Sequence, residues 1–97
     1  MYLITMKVRV VLSANLHELA SSVSLVVQVP NEYTVRDLII KLGELNPEIP
    51  KILLRGGELS ESYIVIVNGR DIHWLKGLLT NLNDGDEVLI APKAFIS

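Results

Sequence analysis

The residues able to do chemistry are few and scattered. His17 and His73 are the two histidines of the 97-residue chain. They stand apart, without the cysteine or carboxylate constellation that a metal ion needs around it, and no metal site is expected. Cysteine is absent, which removes thiol nucleophiles, thiolate ligands and any disulfide framework. Ser13, Ser60 and Ser62 fall in loop-like stretches with neither a nucleophile elbow nor a triad spacing. Glu58, Glu61, Asp71, Asp84, Asp86 and Glu87 could form an acidic rim, but acid–base work needs two carboxyls at a fixed separation that this spacing does not dictate. They read as solvated turn residues. Gly56-Gly57 reads as a tight turn. Trp74 reads as a core lid or an edge anchor, with a binding hot spot as the alternative. The chain is expected to bring no active site, cofactor or metal of its own.

Charge and size narrow the partners. A net charge of -2 with mixed signs does not supply the concentrated basic face that phosphate recognition needs, so no nucleic acid is expected. Lys7 and Arg9 interrupt the hydrophobic opening, and no small-residue cleavage site follows it, which argues against a signal peptide or a membrane span. The expectation is one domain over residues 1–97, large enough for a single core, in a cytoplasmic protein of undetermined oligomeric state.

The elements that must position these residues alternate clearly. Tyr2, Ile4, Met6, Val8, Val10 and Leu12 alternate with Leu3, Thr5, Lys7, Arg9 and Val11, predicting a half-buried strand. "SANLHELASS" breaks that pattern as a connection, and "VSLVVQV" resumes it with Leu25, Val27 and Val29 inward, giving a hairpin. A helix follows. Thr34 is a suitable N-cap with Asp37 three residues on, and Val35, Leu38, Ile39, Leu42 and Leu45 share one face up to Asn46-Pro47. "EIPKILLRGGELSES" predicts a connection with one short extended or helical piece. "YIVIVNGRDI" is a strand ending in an Asn68-Gly69 turn, and a last strand after Asp84-Gly85 turns Val88 and Ile90 to one side.

The order β-β-α-β-β, with one helix over a mixed sheet of four to five strands, predicts an α+β fold of the β-grasp type. In that topology the first and last strands pair in parallel at the centre, which suits their long apolar runs.

The helix start "TVRDL", the stretch "IVIVNGRDI" and the closing "LNDGDEVLIAPKA" together resemble the ubiquitin-like sulfur carriers of the MoaD/ThiS superfamily, the small subunit of molybdopterin synthase among them. The resemblance runs from Lys7 to Ala94. It implies a ubiquitin-like fold and a C-terminal Gly-Gly that an E1-like enzyme activates and converts to a thiocarboxylate in molybdopterin or thiamine biosynthesis. Here Phe95, Ile96 and Ser97 follow Pro92-Lys93-Ala94, side chains too large for a channel shaped to bare backbone. Trimming back to Gly56-Gly57 would delete two strands and the core with them. The expectation is therefore a non-catalytic module that binds a partner, an E1-like activating enzyme or a large synthase subunit, through Leu89, Phe95, Ile96 and Ser97. The alternative is a working carrier with an atypical C-terminus.

Overall fold

The computed structural model describes residues 4–13 and 15–96, the last two by their backbone alone. Strand β1 (Thr5–Leu12) buries every second residue, Met6, Val8, Val10 and Leu12, as the alternation requires. The inward series stops at Met6: Ile4 precedes the strand and is exposed, and Tyr2 lies outside the described residues. Strand β2 (Ser24–Pro30) runs antiparallel to β1, with Val8 opposite Val27 and Met6 opposite Val29.

The connection between them is a helix as well as a loop. In α1 (Asn15–Ala20), Leu16 is fully buried, and Leu19 and Ala20 pack on the core from three and four residues further on. That spacing puts all three on one helical face. A six-residue helix cannot stand alone, so tertiary packing on its apolar side holds it.

Helix α2 (Val35–Leu42) starts on a complete capping box. The Thr34 hydroxyl accepts from Asp37 N at 3.2 Å, and the Asp37 carboxylate accepts from Thr34 N at 3.0 Å. Val35, Leu38, Ile39 and Leu42 are buried against the sheet, each contributing about 1.5–3 kcal/mol of burial before entropy is counted. Leu45 does not join them. The helix stops at Leu42, four residues short of Asn46, and Leu45 is 51% exposed. After a tight turn, with Leu45 N donating to Leu42 O at 3.0 Å, α3 (Glu48–Leu53) folds back so closely that a Cβ on Gly43 would meet Pro50 Cγ at 3.0 Å.

Strands β3 (Leu54–Arg55) and β4 (Glu58–Leu59) form a small hairpin around Gly56-Gly57. Both glycines have positive φ, +59° and +82°, as a two-residue hairpin loop of this kind demands. Strand β5 (Tyr63–Val67) turns at Asn68-Gly69 into the two-residue β6 (Arg70–Asp71). Two 3₁₀ turns, Ile72–Trp74 and Gly77–Leu79, lead on to β7 (Glu87–Pro92), and Lys93–Ile96 form a single helical turn, α4.

The main sheet has the order β2-β1-β7-β5-β6. Strands β1 and β7 pair in parallel at its centre, Val10 with Val88 and Leu12 with Ile90. The sheet's inner face and α2 enclose the core, the mixed five-stranded β-grasp arrangement.

Candidate partner-binding surface

Alternation that sends Val88 and Ile90 into the core sends Leu89 to the opposite face of β7. Its neighbours there are set by register. Leu89 pairs with Val11 on β1 and with Ile66 on β5, so three half-buried aliphatic side chains form a row across the three central strands. One step along, Ala91 pairs with the half-buried Ile64, but Ala91 is itself buried and adds no surface. In the other direction the row gives way to Arg9 beside Glu87, with the exposed Val26 opposite Arg9. The result is a half-buried apolar strip with a charged border on the face of the sheet opposite α2, the composition of a protein-binding patch.

Of the expected contact residues, Leu89 occupies the middle of this strip. Phe95 and Ile96 fall in α4, but their side chains and the whole of Ser97 lie outside the described residues. Lys93 N donates to Ser62 O at 2.9 Å, which fixes the direction in which the segment leaves β7. Val11, Ile66 and Ile64 were missed by sequence reasoning. The available signal was the unbroken apolar run Tyr63–Val67, in which both faces of the strand are hydrophobic and alternation is lost.

The turn residues singled out for their spacing are structural. Asn68 N donates to Glu87 O at 2.9 Å, and its side-chain oxygen accepts from Glu87 N at 2.9 Å. Its amide nitrogen donates to Asp86 Oδ1 at 2.7 Å, while Asp86 Oδ2 accepts from Asn83 N at 2.8 Å. Asp84 accepts from Lys7 N at 2.8 Å, and Gly85 N donates to Lys7 O at 2.8 Å. Thus the Asn68-Gly69 and Asp84-Gly85 turns are tied to each other and to β1. This brace sets the register of β7, and with it the position of Leu89.

Of the remaining candidates, Glu58, Ser60, Glu61, Asp71 and His73 line one open cleft beside β5, while His17 stands apart from it. His17 sits in α1 and His73 in the first 3₁₀ turn, where its ring stands edge-on to Trp74 with centroids 5.1 Å apart. Ser60 Oγ accepts from Ser62 N, an interaction within a turn. Among the described residues no three His, Asp or Glu side chains gather as a metal site would require, and no helix is long and apolar enough to cross a membrane. Trp74 is no core lid: it is 81% exposed.

Residues 10–93 match the family model described as the ThiS family. The chain belongs to that family. It is 43% identical over 60 residues to a provisionally named sulfur carrier protein of Archaeoglobus fulgidus, covering 61% of this chain and 68% of the relative. It is also similar in structure to small archaeal modifier protein 1 of Methanosarcina acetivorans, with 30% identity, a TM-score of 0.78 and coverage of 92% and 94%. A third similarity is to a protein of Pyrococcus furiosus provisionally named molybdopterin converting factor, subunit 1, with 28% identity, a TM-score of 0.73 and coverage of 90% and 97%. The ThiS-family match spans both turns of the brace, though not Lys7, and the whole row of Val11, Leu89 and Ile66.

Proposed function

We propose that this ThiS-family chain is a non-catalytic, cytoplasmic, partner-binding protein related to the sulfur carriers of molybdopterin or thiamine biosynthesis. It docks on an E1-like activating enzyme or on a large synthase subunit. The observation that carries the proposal is the apolar strip of Val11, Leu89 and Ile66, centred on the strand that leads directly into Lys93–Ile96. A partner gripping the strip meets the C-terminal segment at its edge, where Phe95, Ile96 and Ser97 complete the contact. The similarity to a protein designated subunit 1 of a converting factor supports a protein partner.

Docking is the reading that the apolar strip supports, since a partner can grip Val11, Leu89 and Ile66 whatever becomes of the residues beyond β7. The family match and the sulfur-carrier relative support a second reading, a working carrier whose C-terminus is atypical.

One experiment separates them. The protein is mixed with an E1-like activating enzyme, ATP and a sulfide donor, which can displace AMP from an activated carboxyl terminus, and its intact mass and its elution with the enzyme are recorded. A stable complex with unchanged mass is the expected outcome. Exchange of one oxygen for sulfur would establish the carrier instead, and absence of both complex and mass change would refute both readings.

A further inference from the structure

A second surface lies at the other edge of the sheet. Strand β6 pairs only with Ile66 and Val67, so ahead of Ile66 that side of β5 has no strand neighbour. An open cleft of about 930 Å³ lies beside it, with Leu59, Ile64, Ile72 and Leu78 as its apolar lining. This is room for a large side chain, within the roughly 300–1,000 Å³ of pockets that bury small ligands. Leu79, 66% exposed, stands on the rim of the cleft, and next to it the first 3₁₀ turn holds Trp74 81% exposed. Few groups cost more to leave in water than an indole ring.

The charges of the cleft are balanced. Arg36, Lys76 and Lys93 line it together with Glu58, Glu61 and Asp71. None of the six forms an ion pair, since both pairs found among the described residues lie on α2–α3, Lys41 with Glu44 and Lys51 with Glu48. A partner of strongly acidic or basic character would be matched by an excess of one sign. A two-fold interface has the opposite requirement: the same patch meets itself, so it must carry both members of every complementary set.

We propose that this cleft is the seat of a second copy of the chain, the Trp74 of each copy entering the cleft of the other. Knob and socket lie side by side on one surface, as a two-fold axis requires. The cations of one lining meet the carboxylates of the other. The open edge of β5 is brought under cover, and an uncovered sheet edge is a surface prone to pairing. With a net charge of only -2 on each chain, long-range repulsion between copies is small. Lys93, where the C-terminal segment begins, lines the same cleft, so the pair brings the bases of both segments to its interface. The cleft borders the strip at Ile64 and Lys93, and pairing of the chain with itself is read without any activating enzyme.

Trp74 is the chain's single tryptophan, so its fluorescence reports this surface alone. Sedimentation equilibrium and Trp74 emission are followed over a dilution series from millimolar to submicromolar protein. A dimer is expected at high concentration, with Trp74 emission shifted to the blue and shielded from acrylamide, both changes reversing on dilution at one common midpoint. Trp74→Ala, read by sedimentation, and Leu79→Asp each weaken self-association by roughly 30-fold or more, as loss of a central anchor does. Both side chains are exposed, and circular dichroism verifies that the variants fold. A monomer at every concentration, a dimer untouched by Trp74→Ala, or Trp74 emission that stays water-exposed throughout would overturn the proposal. So would occupation of the cleft by a different protein without any pairing of this one.

Discussion

Replacing Asp86 by alanine tests whether the turn brace holds β7 in place. The Asp86 carboxylate is 8% exposed and accepts two hydrogen bonds, from Asn68 Nδ2 at 2.7 Å and from Asn83 N at 2.8 Å. Hydrogen bonds to a charged group contribute about 1.5–3 kcal/mol each to stability. Asn68 and Asn83 are exposed, so water replaces part of what each loses, which brings the expected destabilisation to about 2.5 kcal/mol. At about 4–8 °C per kcal/mol for a chain of this size, Tm falls by roughly 10–20 °C. Asp84→Ala is the control: its carboxylate accepts one bond, from Lys7 N at 2.8 Å, in an exposed turn. About 1 kcal/mol is expected there. Urea unfolding provides the measurement, with m unchanged so that the midpoint shift reports stability. An Asp86→Ala protein within about 0.5 kcal/mol of the unsubstituted chain, or one less affected than Asp84→Ala, would refute the reasoning.

Two further substitutions probe the scaffold by the same unfolding assay. Leu38→Ala empties a fully buried position between α2 and the sheet and should cost about 2–5 kcal/mol; a cost below about 1 kcal/mol would mean that α2 is not packed as described. Gly57→Ala puts a Cβ in open space, with no atom within 4 Å, but at φ +82°, so its expected cost of about 1 kcal/mol is backbone strain alone. A neutral Gly57→Ala would show that the β3–β4 turn relaxes without loss.

Much of the fold was legible because local rules and tertiary packing agree. Period-two alternation located β1 and β2, the Thr34/Asp37 capping box marked the start of α2, and Asn68-Gly69 marked the turn after β5. The long apolar runs of β1 and β7 identified the central parallel pair. Where packing decides, the sequence was silent or misleading. Leu45 continues the helical period of α2, yet the helix ends at Leu42, with Pro50 of α3 packed beside Gly43, and Leu45 is left exposed. In "SANLHELA" only Leu16, Leu19 and Ala20 mark α1, too little to distinguish a helix from a loop without the core beneath it.

The candidate site divides in the same way. Leu89 is outward by parity with Val88 and Ile90, a rule available from sequence, but its contact with Val11 and Ile66 depends on strand order and register across residues far apart in the chain. For Trp74 the core-lid expectation fails and the other two stay open: in the 3₁₀ turn it is Ile72 that turns inward, while Trp74 stands in solvent.

The role of the apolar strip is tested most directly by the affinity of two variants for an E1-like activating enzyme. Leu89→Asp places a carboxylate between Val11 and Ile66, and Ile40→Asp places one on the exposed side of α2. With both variants shown to be folded by thermal unfolding, Leu89→Asp should bind at least ~30-fold more weakly, and Ile40→Asp should bind like the unsubstituted chain. Equal binding by all three proteins, or a loss confined to Ile40→Asp, would contradict the account.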